Sequence, residues 1–246
     1  MARTIGSNGE KTADNIRRVS LRLFAEQGYA AVSMRQIAKE VGIQAGALYN
    51  HFPNKQDILV ELMASHMRAL IGAWELAGKQ FSSPQEALEG FVKFHISFHV
   101  DKPDEVFISY MELRNLDGDN FSHIESQRRL YEGFLRKVIQ SGKTQGVFIV
   151  QDVPITSMAI IAMLTGLNTW YRTSGRLDVD QLQNIYVDLV RGAVGLSANN
   201  FKSIDIKHIE NPSEIVKLDK GIFATPSFNS VTSEYTQPFM SVNTMV

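Results

Sequence analysis

The chain has 246 residues, of which 44% are hydrophobic and none is cysteine, with 25 Lys and Arg against 26 Asp and Glu. Such a composition supplies a real core and excludes a fibre, a disordered chain or a repeat array. The lack of Cys excludes disulfides, thiolate nucleophiles, iron–sulfur clusters and Cys-ligated zinc.

The first ten or so residues are polar and without periodicity, which predicts a flexible arm. Ile16, Val19, Leu23 and Phe24 then form one apolar stripe, predicting a helix over about 12–27 that Gly28 ends. Ser33 and Gln36 have capping-box spacing, and Met34, Ile37, Ala38 and Val41 give a second helix over about 34–41. After Gly42 and Ile43, residues 44–50 allow barely two turns before Phe52 and Pro53. A long helix follows from Asn54 to about Gly78, then others over about 84–100, 104–116 and 120–141. Asp152 with Pro154, and later Asp178, start the last two, 154–173 and 179–197. Val147 to Val150 is β-like, and a single short run makes no sheet. The longest apolar run, Met158 to Leu164, is seven residues where a membrane span needs about 20, and the N-terminus has no apolar signal region. The expectation is an all-α, cytoplasmic protein without a membrane partner. Residues 198–246 lose periodicity and become rich in Ser, Thr, Asn and Pro, which predicts a partly disordered extension, with room for a short helix near Ser213 to Leu218.

Two short helices joined by a glycine-containing turn have the geometry of a helix-turn-helix. Charge agrees: residues 1–60 carry eight basic and five acidic side chains, the remainder seventeen and twenty-one, so only the first part suits a polyanion. The run from Ser33 to Leu59 resembles the signature of the TetR family of transcriptional regulators, matching it at Ser33, Ile37, Ala38, Gly42, Gly46, Leu48, Tyr49, His51, Phe52, Lys55 and Leu59. Leu23 to Tyr29 resembles that family's first helix and its exit. The resemblance implies a three-helix DNA-binding domain, here 11–71, followed by a helical ligand-binding and dimerisation domain, 72–197. It also implies that Ser33, Tyr49, His51 and Lys55 contact phosphate, which positions the module without reading sequence. A recognition helix entering a major groove needs small or polar leading residues, and Gln44, Ala45 and Gly46 supply them. Gln44 and Asn50 can pair with adenine, Ala45 can touch a thymine methyl, and Arg35 can reach phosphate or a base edge. The family usually has Ser or Thr where Gln44 stands.

The body is rich in aromatics, enough to line a cavity for an apolar effector. Residues 131–146 and 170–177 look like the acyl-CoA-responsive branch of the family. That likeness places an acyl chain among Phe94, Phe98, Phe107, Tyr110 and Met111, near Trp170. Its phosphates would need cations such as Arg128, Arg129, Arg172 or Arg176, although Arg176 can equally bridge two helices. His95 and His99, four residues apart, offer a metal pair, but no Glu lies between them in a zincin arrangement, and neither a metal nor a cofactor is expected. An enzyme would have to use these histidines with Glu112, His123 or Glu125, without a phosphate loop, nucleophile elbow or paired carboxylates. The expected function is a homodimeric repressor that binds a palindromic operator and is released by a small apolar effector, an acyl-CoA being one candidate. A helical protein-interaction module, or an activator built on the same DNA-binding domain, is the alternative.

Overall fold

The computed structural model describes residues 7–196, and among these all regular structure is helical. The expected extension, 198–246, and the short helix within it lie outside the described residues. Helix α1 (Ser7–Gln27) is followed by α2 (Met34–Val41), α3 (Ala45–Tyr49) and α4 (Lys55–Ala77). The body adds α5 (Pro84–Val100), α6 (Pro103–Met111), α7 (Gly118–Thr144), α8 (Val153–Thr165), α9 (Leu167–Trp170) and α10 (Val179–Ala193). Single 3-10 turns occupy Gly78–Gln80 and Leu113–Asn115.

Most starts are set by side chains. Ser33, Asn54, Ser83, Asp117, Asp152 and Asp178 each accept the backbone N–H three residues on, which satisfies one of the orphan donors of a first turn. Among the described residues, only Asp178 and Gln181 complete a reciprocal capping box. The pair expected at Ser33 and Gln36 is half-made, because the Gln36 amide donates to Gln27 instead.

Three expectations are corrected, and a fourth, that Val147 to Val150 makes no sheet, holds. Helix α1 begins at Ser7, inside the expected arm, with Glu10 in its first turn where a negative charge favours the helix N-terminus. The helix expected over 104–116 stops at Met111 and continues as a 3-10 turn. The one expected over 154–173 breaks at Gly166 into α8 and α9, within an apolar stretch, Val153–Trp170, of mean hydropathy 1.3 that extends well beyond its seven-residue centre. The run Val147 to Val150 is extended without forming a sheet: the Val147 and Phe148 amides donate to Gly142, and the Ile149 amide to Val194 at the end of α10.

Two apolar cores divide along α4. The first gathers Ile16, Phe24, Ile37, Leu48, Ile58 and Leu59, and receives Ile108 from α6 and Ile124 from α7. The second gathers Met67, Trp74, Phe91, Leu135, Ile160 and Val187. Packing therefore passes from one core to the other between Ala64 and Met67, while side chains of the body seal the underside of the N-terminal module.

Candidate nucleic-acid interface and effector cavities

The turn between α2 and α3 needs a backbone conformation that favours glycine. Gly42 has φ +78°, its N–H donates to the carbonyls of Ala38 and Lys39, and the Ile43 amide returns to Ala38, closing α2 and turning the chain into α3. Leu48 is fully buried and fixes α3 from beneath. The opposite side of α3 is open. Gln44 occupies the N-cap position in extended conformation without spending its amide on the cap, and Gln44, Gly46, Tyr49 and Asn50 are exposed. A Cβ added at Gly46 would meet nothing, so only an external surface can use the clearance it gives. Ala45 and His51 are half-buried beside them. Ser33 and Arg35 are exposed at the start of α2, next to the exposed Lys39. The candidates on α2 and α3 are thus exposed or half-buried at the surface, whereas Lys55 is engaged inside the module. Its ammonium donates to the carbonyls of Tyr29 and Val32, each at 2.7 Å, reaches Ala30 at 3.5 Å, and lies 4.2 Å over the Tyr29 ring. Burial lowers its pKa, against the opposing pull of Glu112. Lys55 holds the α1–α2 turn, a different task from the phosphate contact expected of it.

Behind this module lie two cavities. One, of about 370 Å3, is lined by Ile96, Val100, Val106, Phe107, Leu164 and Leu167 with Asn168 and Arg172 at a polar end, and reaches Ala25 on α1. The other, of about 510 Å3, is lined by Met67, Leu70, Tyr110, Met111, Met158 and Ile161, with Arg128, Arg129, Glu125 and Glu132 on its wall. Of the expected effector residues, Phe107 and Arg172 belong to the first cavity and Tyr110, Met111 and Arg129 to the second. Phe94, Phe98, Trp170 and Arg176 line neither. Phe94 sits between Trp74 and Phe98, which itself packs on His66, so this half-buried aromatic row packs against the second core. Trp170 is 53% exposed against Tyr171, and Arg176 is exposed at the loop before α10. Arg129 is paired with Glu125 at 2.6 Å, whereas Arg128 donates to the Ser109 carbonyl and lies 4.3 Å over Tyr110.

Sequence reasoning missed the junction between cavity and module. Glu112, at the end of α6, accepts the Tyr29 N–H at 3.0 Å and a hydrogen bond from the Asn115 amide, while Gln56 donates to the Asn115 carbonyl. Gly28, with φ +81°, makes the turn that brings the Tyr29 N–H to that carboxylate, a backbone conformation that favours glycine. No local pattern marks a contact across 83 residues. Sequence reasoning also missed His66, which joins His95 and His99 from another helix. All three are buried, and burial is the largest cause of their depressed pKa values, with His66 lowered to about 4 and His99 to about 3. His95 and Tyr131 share a hydrogen bond at 3.1 Å, and the Tyr131 hydroxyl is pushed well above its usual value by burial. The residues an enzyme would have needed are scattered: Glu112 is held by Tyr29 and Asn115, and His123 is exposed beside Gln127.

A helix-turn-helix with an open recognition face, standing on a helical body that encloses cavities, defines a one-component transcriptional regulator. Comparison with known proteins gives the family. Residues 16–62 match the bacterial regulatory proteins of the tetR family, and residues 82–194 match the tetracyclin repressor-like C-terminal domain. The chain belongs to the TetR family of transcriptional regulators. It is 25% identical over 196 residues to the transcriptional repressor KstR2 of Mycolicibacterium smegmatis, covering 79% of this chain and 96% of that one. It is also 25% identical over 182 residues to the fatty acid metabolism regulator protein of Bacillus subtilis, covering 70% and 89%. A TetR-family regulator from Rhodococcus RHA1 superposes with a TM-score of 0.73 at 25% identity, over 76% of this chain and 99% of that one. AibR, solved with isovaleryl coenzyme A and operator DNA, has the same fold at 23% identity and a TM-score of 0.68, over 73% and 97%.

Proposed function

We propose that the protein is a homodimeric repressor that binds a palindromic operator and releases it when an apolar thioester, an acyl-CoA, fills the cavities. In this reading residues 11–71 are the DNA-binding domain and 72–197 the effector and dimerisation domain. Gln44, Ala45, Gly46 and Asn50 face base edges, with Arg35 beside them, while Ser33, Tyr49 and His51 rest on phosphate. The dimer forms through α8 and α10, whose Ile155, Met158, Ile185 and Leu189 are exposed apolar side chains that a second copy would cover. The acyl chain takes the apolar lining, and Arg128, Arg129 and Arg172 are the cations within reach of its phosphates. Relatives named as a repressor and as a fatty acid metabolism regulator support this chemistry.

The observation that carries the proposal is the junction at Glu112. Helix α6 contributes Phe107 to one cavity and Tyr110 and Met111 to the other, and ends on the carboxylate that holds the Tyr29 amide of the DNA-binding module. An effector that displaces α6 must move the α1–α2 turn or break that bond. Coupling requires the effector to prefer the displaced state. The test is fluorescence anisotropy of the protein on labelled DNA from upstream of its own gene, against a scrambled competitor at stated salt, with acyl-CoAs of rising chain length added. Release of wild-type protein, and a several-fold weaker response in Glu112→Gln, are expected. Equal operator affinity with and without every thioester would sink the proposed effector class.

A further inference from the structure

The wall between the two cavities is made by His66 on α4, His99 on α5 and Thr165 at the end of α8. Thr165 lines both cavities, His99 the first and His66 the second. The rings of His66 and His99 stand 5.3 Å apart between centroids, and His95 packs behind His99 at 4.1 Å. The Nε2 atoms of all three histidines and the Thr165 hydroxyl are buried without a hydrogen-bond partner among the described residues. Both His95, at 1% exposure, and His99, at 8%, are enclosed far beyond what unpaired polar groups usually tolerate. Three such atoms on a wall shared by two cavities, with the His95 Nε2 behind them, form a site that is completed when something polar enters it.

The chemistry of the entrant follows from the protons. The His99 Nδ1 lies 2.8 Å from the His95 carbonyl, which can only accept, so Nδ1 carries the hydrogen and Nε2 presents a bare lone pair. A lone pair is met by an O–H or N–H donor. The Thr165 hydroxyl can both donate and accept, so it can serve the other side of the same group. Burial keeps the imidazoles neutral, so the wall offers a carboxylate no charge to pair with. The flanking surfaces, Ile96, Leu164 and Phe107 on one side and Met67, Leu70 and Ile161 on the other, are apolar.

We infer that the effector threads this wall and joins the two cavities, presenting a neutral hydrogen-bond donor, partway along an apolar body, to His99 and Thr165. The inference rests on the reading of the cavities as the effector site, and it narrows the effector's chemistry. The donor can be a hydroxyl on the chain itself or an amide N–H of a thioester's carrier arm. His66 is the side chain that must step aside, because it stands against His99 from the second cavity.

The experiment is isothermal titration calorimetry on the full chain with three probes: dodecanoic acid, its hydroxylated forms with the hydroxyl walked along the chain, and dodecanoyl-CoA. Operator release is followed in parallel. One hydroxylated acid is expected to bind roughly tenfold tighter than the parent or better, since a site built around a hydrogen bond discriminates strongly against the analogue that lacks it. The advantage should vanish in His99→Phe and in the near-isosteric Thr165→Val, whose melting curve reports whether the fold is kept. If the donor is instead the carrier-arm amide, the hydroxylated acids gain nothing while dodecanoyl-CoA loses affinity in both variants, which also supports the inference. Binding of all three probes with no dependence on His99 or Thr165, binding of none, or a wall served by water alone, so that hydroxylation changes nothing and dodecanoyl-CoA keeps its affinity in both variants, would overturn it. The two readings fail separately. Thioesters that release operator with no dependence on these residues remove the wall's role alone, whereas preference for a hydroxylated acid with no thioester response removes the acyl-CoA alone.

Discussion

In the N-terminal module the anchors are fully engaged: Leu48 and Ile58 are fully covered, Ser33 and Asn54 cap their helices, and Lys55 reaches three carbonyls. In the body, two cavities of about 370 and 510 Å3 are divided by histidines whose Nε2 atoms have no partner among the described residues. The difference separates two kinds of fitness. A surface that must meet DNA in one register gains from having its shape settled beforehand, whereas a site that must respond to a ligand gains from being unfinished until the ligand arrives.

Substitutions can break this contrast, and the largest effect belongs to the finished half. Leu48→Ala removes a fully buried side chain from beneath α3 and should lower unfolding free energy by about 2–5 kcal/mol in chemical denaturation. A loss as small as that of a surface substitution would mean the module's core is not what holds the recognition helix. The unfinished half should be sensitive to acid. The histidines are buried neutral, so the unfolded chain takes up protons first: their contribution is complete above about pH 6.5 and is lost as pH falls towards the values of about 4 and about 3 given for His66 and His99. Lys102, near both, and His95 add to the repulsion once charge appears, while Tyr131 stays neutral throughout. Denaturation curves at pH 7 and pH 5 should differ by on the order of 2 kcal/mol for each buried histidine, and His66→Phe should narrow the gap; an unchanged gap would place the acid-sensitive groups elsewhere.

A smaller effect sharpens the role of Lys55. If its ammonium serves the α1–α2 turn, Lys55→Met should cost about 1–2 kcal/mol of stability and leave the salt dependence of operator binding as it was. A slope reduced by about one phosphate contact would restore the lysine to the DNA. Smallest is Gln44→Ala, expected to relax preference at a single base position while Tyr49→Ala weakens binding to all sequences alike, as competition against single-base operator variants would show.

Much of this was legible in the sequence, for a reason particular residues make clear. The apolar stripes of Ile16 to Phe24 and of Met34 to Val41, with Gly28, Gly42 and the capping residues, are local signals, and helices obey local signals. The 27 residues from Ser33 to Leu59 hold the turn, the short recognition helix and its open face together, so the candidate interface could be named before the fold was seen. The body resisted. Phe94 and Phe107 are indistinguishable as letters on amphipathic helices, yet one stacks between aromatic rings against the core and the other lines a cavity, because the outcome depends on which neighbour lies opposite. Glu112 and Tyr29, or His66 and His99, meet only after several helices have packed, and no spacing rule spans such distances.

Helix α4 carries a mechanical consequence. It is 23 residues long, about 34 Å at the usual rise, and its first half belongs to one core and its second half to the other. A rod of that length turns small angles into displacements: pivoting by roughly 5° about one end carries the other through about 3 Å, the length of a hydrogen bond. Two such rods in a symmetric pair would change the separation of their recognition helices by up to twice that, against a groove-to-groove repeat of about 34–36 Å that DNA does not adjust cheaply. In such a pair an effector would have no need to unfold or even loosen the reading head; leverage along a single stiff helix would suffice to take both heads off the pitch of the duplex.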